Sequence, residues 1–248
     1  STTTVFGEPR LGLSALDDGT LLGDAVAADP EAFLGPDHVT AFGPDPAVLV
    51  KLLDAGQRLP VHVHPDRSFA AEHLNCPYGK TEAWVVIGTR GAEPVVYLGF
   101  RDDVDPDTLA RWVDGQATGE MLGALNPFPV SPGDTVLVPA GTPHAIGEGV
   151  LVVELQEPTD FSVLLEWDGF DVDGRADGHL GLGMDVALRA VDHTAFDPQR
   201  SVHCRTDRPL SADVPRGVRP LFPVDADAFF RAEWVRPDAS VTFEPAFA

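Results

Sequence analysis

Residues 58–90, RLPVHVHPDRSFAAEHLNCPYGKTEAWVVIGTR, place two imidazoles one residue apart and set a carboxylate, Glu82, inside an apolar run. Side chains two apart on a strand share a face, so His62 and His64 point into one space. Such a pair can ligate a metal ion, or it can simply form the polar face of a half-solvated strand. A His-x-His pair alone does not choose between these. Lys80 lies two residues before Glu82 and shares its face, unless it is only a surface lysine at a strand start. Glu154 and Gln156 alternate within the apolar run GVLVVELQE at 149–157. A carboxylate buried there needs a reason, and proton transfer or support of a metal ligand are the usual ones. Trp84 lies on the face of Glu82, where it can wall a pocket or fill a core.

A second segment, SPGDTVLVPAGTPHAIGEGVLVVELQEPTD at 131–160, answers the first. It runs Gly133, five residues, Pro139, one, Gly141, two, His144; the first runs Gly56, five residues, His62, one, His64, then an insert, Glu82 and, six positions on, Gly88. These spacings resemble the two halves of the cupin signature, with the first half stretched by an insert at 65–79. The resemblance implies a small jelly-roll barrel in which His62, His64, Glu82 and His144 converge on one metal ion. Three imidazoles and a carboxylate suit zinc, with Fe, Mn, Co or Ni as alternatives.

Finer detail narrows the likeness. VHVHPD, a helix, GKTEAWVVI and then VPAGTPHAIGEGVLVVELQEPTD resemble the class I mannose-6-phosphate isomerase family across most of residues 46–195. The resemblance implies a zinc-dependent aldose–ketose isomerase acting on a sugar or sugar phosphate. It also implies Lys80 and Glu154 as catalytic candidates and Lys80 as a substrate contact; Arg67 and Trp84 are further candidate substrate contacts. Two positions depart from the family pattern. The family's metal-binding Gln is His62 here, and the Arg expected four residues after Asp160 is Leu164. An alkyl chain cannot imitate a guanidinium fork, so Arg67, Arg58 or Arg175 would have to act in its place, or the substrate differs. A cupin dioxygenase with a three-His-one-Glu iron site and a non-catalytic sugar-binding cupin are the alternative readings.

These residues need a scaffold of strands. Short β-type runs recur at 46–55, 59–64, 81–88, 93–100, 134–140 and 149–157, each bounded by Gly, Pro or Asp. Helical composition is expected at 29–35, in the insert opening with Pro65–Asp66, over 105–126 with Asp105 as cap and an apolar face of Leu109, Trp112 and Val113, and over 182–192. The fold class expected is therefore mainly β: a cupin jelly roll at 1–198 with helical inserts at about 65–79 and 105–126. Residues 199–248 read as a linker and a partial second β unit.

The totals agree with a folded protein: 44% hydrophobic and 23% charged residues. A formal net charge of −22 argues against nucleic acid or an anionic membrane as partner. No apolar stretch reaches the ~18–20 residues of a membrane span. Cys76 and Cys204 are the only cysteines and form no disulfide framework, so a cytoplasmic setting is expected. The opening STTTVFGEPR has neither a signal-peptide pattern nor an initiating Met, which implies residues ahead of it. His38, His73, His179, His193 and His203 lack ligand spacing, and RDDVDPD at 101–107 lacks the pattern of a calcium loop. The oligomeric state is not written in the sequence.

Overall fold

Alternation of apolar and polar residues builds two antiparallel five-stranded sheets. The computed structural model describes residues 2–4, 7, 11–197, 202–203 and 218–235. The first sheet has the order β1 (Leu49–Asp54), β8 (Val150–Gln156), β3 (Glu82–Thr89), β6 (Thr135–Val138), β10 (Val202–His203). The second has the order β5 (Leu125–Pro129), β4 (Val95–Phe100), β7 (His144–Ile146), β2 (His62–Val63), β9 (Val163–Leu164). Edge strand β1 alternates in burial, whereas all four residues of the central β6 are buried. A strand buried throughout needs cover on both faces of its sheet, and the packing supplies it.

Between the sheets lie Trp84, Val86, Val96, Leu98, Val136, Val138, Ile146, Val150 and Val152. The outer face of the first sheet (Ala83, Leu137, Leu155) is covered by Phe222, Ala226 and Phe230. Ala226 lies in a 3-10 turn at Val224–Ala228 that Phe222 and Phe230 flank, between β11 (Val218–Pro220) and β12 (Glu233–Val235), which pair with each other. The outer face of the second sheet (Val61, Val63, Ala145, Val163, Leu165) packs on two helices, α5 (Pro106–Asp114) and α6 (Thr118–Ala124), through Leu109, Val113 and Met121. The expected jelly-roll class holds: two facing antiparallel sheets with helical pieces outside.

Several boundaries shift for identifiable reasons. The strand expected at 59–64 pairs only over His62–Val63, flanked by Pro60 and Pro65, which have no N–H to donate. The helical region expected to reach 126 stops at Ala124, and Leu125–Pro129 forms an edge strand, the one place where Pro127 and Pro129 are tolerated. Asp105 does cap α5, accepting a bond from Thr108 N at 3.1 Å. In place of one helix at 29–35 there are three, α1 (Leu22–Ala28), α2 (Pro30–Leu34) and α3 (Pro36–Phe42), the latter two opened by proline in the first turn. The helix expected over 182–192 shrinks to Met184–Ala187 and a 3-10 turn, Leu188–Ala190. The insert holds the expected helix, α4 (Arg67–His73), capped by Asp66 at 2.7 Å from Phe69 N. Cys204, most of the expected linker and residues 236–248 lie outside the described residues.

Candidate metal centre

Strand register assembles the site. His62 pairs across the ladder with His144 on one side and Leu164 on the other, and His144 pairs with Leu98. Directly paired residues share a face, so both histidines and Leu164 point between the sheets. On the facing sheet Glu82 pairs with Gln156, and Trp84 with Glu154, which in turn pairs with Lys51. One end of the sandwich interior is thus apolar and the other polar.

Two tight passages hold the polar end in place. Lys80 N donates to Pro65 O at 3.0 Å, closing the insert back onto the strand pair. The turn before it requires Gly79, because a Cβ there would lie 2.6 Å from the carbonyl carbon of Asp66. Before His144, Gly141 takes φ of +87° and donates its N–H to His64 O at 2.7 Å.

Each imidazole is oriented in the same way. Nδ1 donates to a backbone carbonyl: His62 to Pro60 O at 2.8 Å, His64 to Phe161 O at 2.7 Å and His144 to Thr142 O at 2.8 Å. A carbonyl oxygen can only accept, so Nδ1 carries the proton and each neutral ring presents an Nε2 lone pair. One ligand atom from each ring lies within 4.8 Å of the other two. Backbone-fixed tautomers of this kind are the usual support of metal-ligating histidine.

Glu82 sits against two of these rings, those of His64 and His144. Its Oε2 lies 3.0 Å from His64 Nε2 and 2.9 Å from Lys80 Nζ; its Oε1 lies 3.4 Å from His144 Nε2 and accepts from Trp84 Nε1 at 2.9 Å. Lys80 Nζ also reaches His64 Nε2 at 2.8 Å. Burial, reinforced by His144, His64 and Lys80, holds His62 well below the ordinary 6.5. Burial and Lys80, partly offset by Glu82, bring His64 down to about 3. Burial alone would raise Glu82, but Lys80 and His64 outweigh it and hold the carboxyl well below its usual range. Lys80 moves up against its own burial because Glu82 and Glu154 stand beside it. Burial and the charge of Glu82 push Glu154 up to about 7, against Lys80 and Lys51.

The donor set fits a divalent cation. Neutral imidazoles and an ionised carboxylate are its preferred ligands. His144 Nε2 and Glu82 Oε2 are buried without a well-aligned hydrogen bond, as are Glu154 Oε1 and Gln156 Oε1 on the same interior wall. Buried acceptors short of well-aligned donors are costly and suit a cation or a donating ligand.

The structure thus brings His62, His64, Glu82, His144, Lys80 and Glu154 together. Two expected substrate contacts are engaged elsewhere. Trp84 is fully buried and its indole N–H donates to Glu82, so in this structure it orients that carboxylate. Arg67 turns to the outer side, with Nε 2.5 Å from Glu157 Oε1 and its guanidinium 4.7 Å from the Phe229 ring. Arg58 is held by Glu166 at 2.6 and 2.7 Å, and Arg175 by Asp114 at 3.1 Å over the Trp167 ring. None of these three guanidinium groups replaces the expected Arg at 164.

Sequence reasoning missed three residues. Lys51 reaches Asp160 at 3.1 Å and Glu154 at 3.7 Å; its inward position between Leu49 and Leu53 was the available signal. Glu157 accepts Thr81 N at 2.9 Å and so fixes the backbone next to Glu82. Glu166, accepting from Val61 N at 2.9 Å and Thr118 Oγ1 at 3.0 Å, ties the start of β2 to α6. No local pattern marks either carboxylate.

No family model matches the chain. It is similar to a mannose-6-phosphate isomerase of Streptococcus mutans, with 32% identity over 180 residues that make up 71% of this chain and 54% of that protein. Its fold is similar to the crystal structure of the mannose 6-phosphate isomerase from Bacillus subtilis, with a TM-score of 0.69 and 23% identity over 94% of this chain and 69% of that one. A mannose 6-phosphate isomerase structure bound with zinc and yttrium aligns at a TM-score of 0.54 and 15% identity, over 83% of this chain and 67% of that one. The chain spans about half the length of the curated relatives it matches.

Proposed function

We propose, from the premise that over its aligned region this chain belongs to the class I mannose-6-phosphate isomerase family, that it is a metal-dependent aldose–ketose isomerase. His62, His64, His144 and Glu82 would hold the ion, with zinc the first choice for this donor set and Fe, Mn, Co or Ni as alternatives. When bound, the ion supplies Lewis-acid polarisation of substrate oxygens. The single observation that carries this reading is the set of three Nε2 lone pairs turned to a common point beside Glu82 and Lys80.

The residues themselves divide the remaining work. Aldose–ketose interconversion moves a proton between C2 and C1, and the same base can take it from one carbon and return it to the other. Glu154 suits that task, because its carboxyl, pushed up to about 7, exchanges protons at neutral pH. Lys80 keeps its charge, donates toward substrate oxygen and sets the position of Glu82. Lys51 anchors Glu154 from the neighbouring strand. Sparse cysteine usage supports a cytoplasmic setting, and among the described residues no helix is long and apolar enough to cross a membrane.

Metal analysis of the purified chain, followed by a turnover screen of aldoses and aldose phosphates, tests the proposal. One equivalent of divalent ion and conversion of an aldose to its ketose are expected. A metal-loaded protein that converts no aldose would refute the enzymatic reading.

A further inference from the structure

Resting on the isomerase reading, the geometry points to a substrate without a phosphoryl group: an uncharged aldose whose apolar C–H face packs on Leu164. Leu164 pairs directly with His62 and shares its face, so an alkyl side chain stands at the metal-binding histidine. The wall opposite is short of donors: Gln156 Oε1 is buried without a hydrogen bond, and Glu154 Oε1 has none beyond the 3.7 Å approach of Lys51 Nζ. Sugar hydroxyls can donate to these oxygens, whereas a phosphoryl dianion placed against them only accepts.

Among the described residues, the two lysines beside the site both face carboxylates. Lys51 Nζ lies 3.1 Å from Asp160 and 3.7 Å from Glu154, and Lys80 Nζ lies 2.9 Å from Glu82. A phosphate drawing Lys51 away would leave Glu154, 4% exposed, as a buried anion without its neighbour, next to Glu82 and Asp160. The net charge of −22 adds a repulsive field for an incoming dianion. A neutral polyol meets none of these costs. Its hydroxyls can donate to Gln156 Oε1 and Glu154 Oε1 while Lys51 stays with Asp160 and Glu154.

The test compares kcat/KM of the zinc-loaded chain for free mannose, xylose and lyxose with that for mannose 6-phosphate, and measures inhibition by inorganic phosphate. At least a tenfold preference for a free aldose is expected, with no inhibition by millimolar phosphate. A smaller preference, or a preference for the 6-phosphate, overturns the inference and leaves the isomerase reading intact. Leu164→Arg should shift the ratio at least tenfold toward the 6-phosphate. Asp160→Asn, which keeps shape and releases Lys51, should shift it the same way if the arginine variant fails to fold. If no aldose turns over, the isomerase reading falls and calorimetric binding decides this one. Mannitol binding at least tenfold more tightly than mannitol 1-phosphate upholds a neutral ligand; equal or reversed affinities, or binding of neither, overturn it.

Discussion

Glu154 offers a prediction that needs no substrate. Its carboxyl is pushed up from the ordinary 4.5 to about 7 by burial and by Glu82. The unfolded chain gives up this proton near 4.5, while the folded chain keeps it to about 7. Between those values the folded state binds more protons, so stability falls as pH rises through the window. The difference, 7 minus 4.5, is 2.5 units; at 1.36 kcal/mol each that amounts to about 3 kcal/mol once the group has ionised. Glu154→Gln removes the titration while nearly keeping the shape. Urea denaturation of chelator-treated wild type and variant, from pH 5 to pH 8, isolates the effect, because titrations common to both cancel in the difference. The variant should gain on the wild type by roughly 2–3 kcal/mol between pH 5 and pH 8, since part of the loss is already taken at pH 5. A difference between the two proteins that stays flat within ~0.5 kcal/mol across that range would refute the argument.

Two further outcomes follow from the same geometry. Adding zinc to 100 times its dissociation constant should stabilise the chain by about 2.7 kcal/mol and raise Tm, while His144→Ala should abolish the gain; an equal shift in the variant would show binding elsewhere. Gly79→Ala should cost at least ~1–3 kcal/mol in urea denaturation, because its Cβ meets fixed backbone of Asp66 and Arg67 at 2.6–2.7 Å, and it should weaken zinc binding by displacing Lys80 and Glu82; unchanged stability would mean that the insert can move aside.

The legible part of the fold was the part written locally. Strands β1, β3, β4, β6 and β8 are apolar runs bounded by turn residues, and each falls within its expected range to about a residue. Among the strands that sequence reasoning did not foresee, β5, β7 and β9 have five, three and two residues, and β10 and β11, inside the expected linker, have two and three. Nothing in LNPFP or HAI specifies a strand by itself; the ladder with β4 and β2 does. The N-terminal helices escaped for the opposite reason. Their prolines read as interruptions, although Pro30 and Pro36 are helix starts.

The site divides along the same line. His62 and His64 were readable as a pair because the strand period is two, and Lys80, Glu82 and Trp84 because they continue that rule along β3. What sets one carboxylate against another lies across the ladder. Glu154 faces Trp84 and Lys51 only through the register of β8 with β3 and β1, over separations of about 70 and 100 positions. Commitment of charge is still less visible. Arg67 has the spacing of a substrate residue, yet Glu157 and the Phe229 ring, more than 150 positions downstream for the latter, claim its guanidinium. Without such partners a buried Glu157 would be an unpaired charge, so the outer pairing is as strongly required as the inner one. The same requirement explains the interior. Every described guanidinium tested against the missing position serves a carboxylate outside the sandwich, and the acceptors left without donors lie inside it. A metal ion and a hydroxyl-bearing ligand would satisfy them, and that shortage of donors among the described residues distinguishes this end of the sheets from a core.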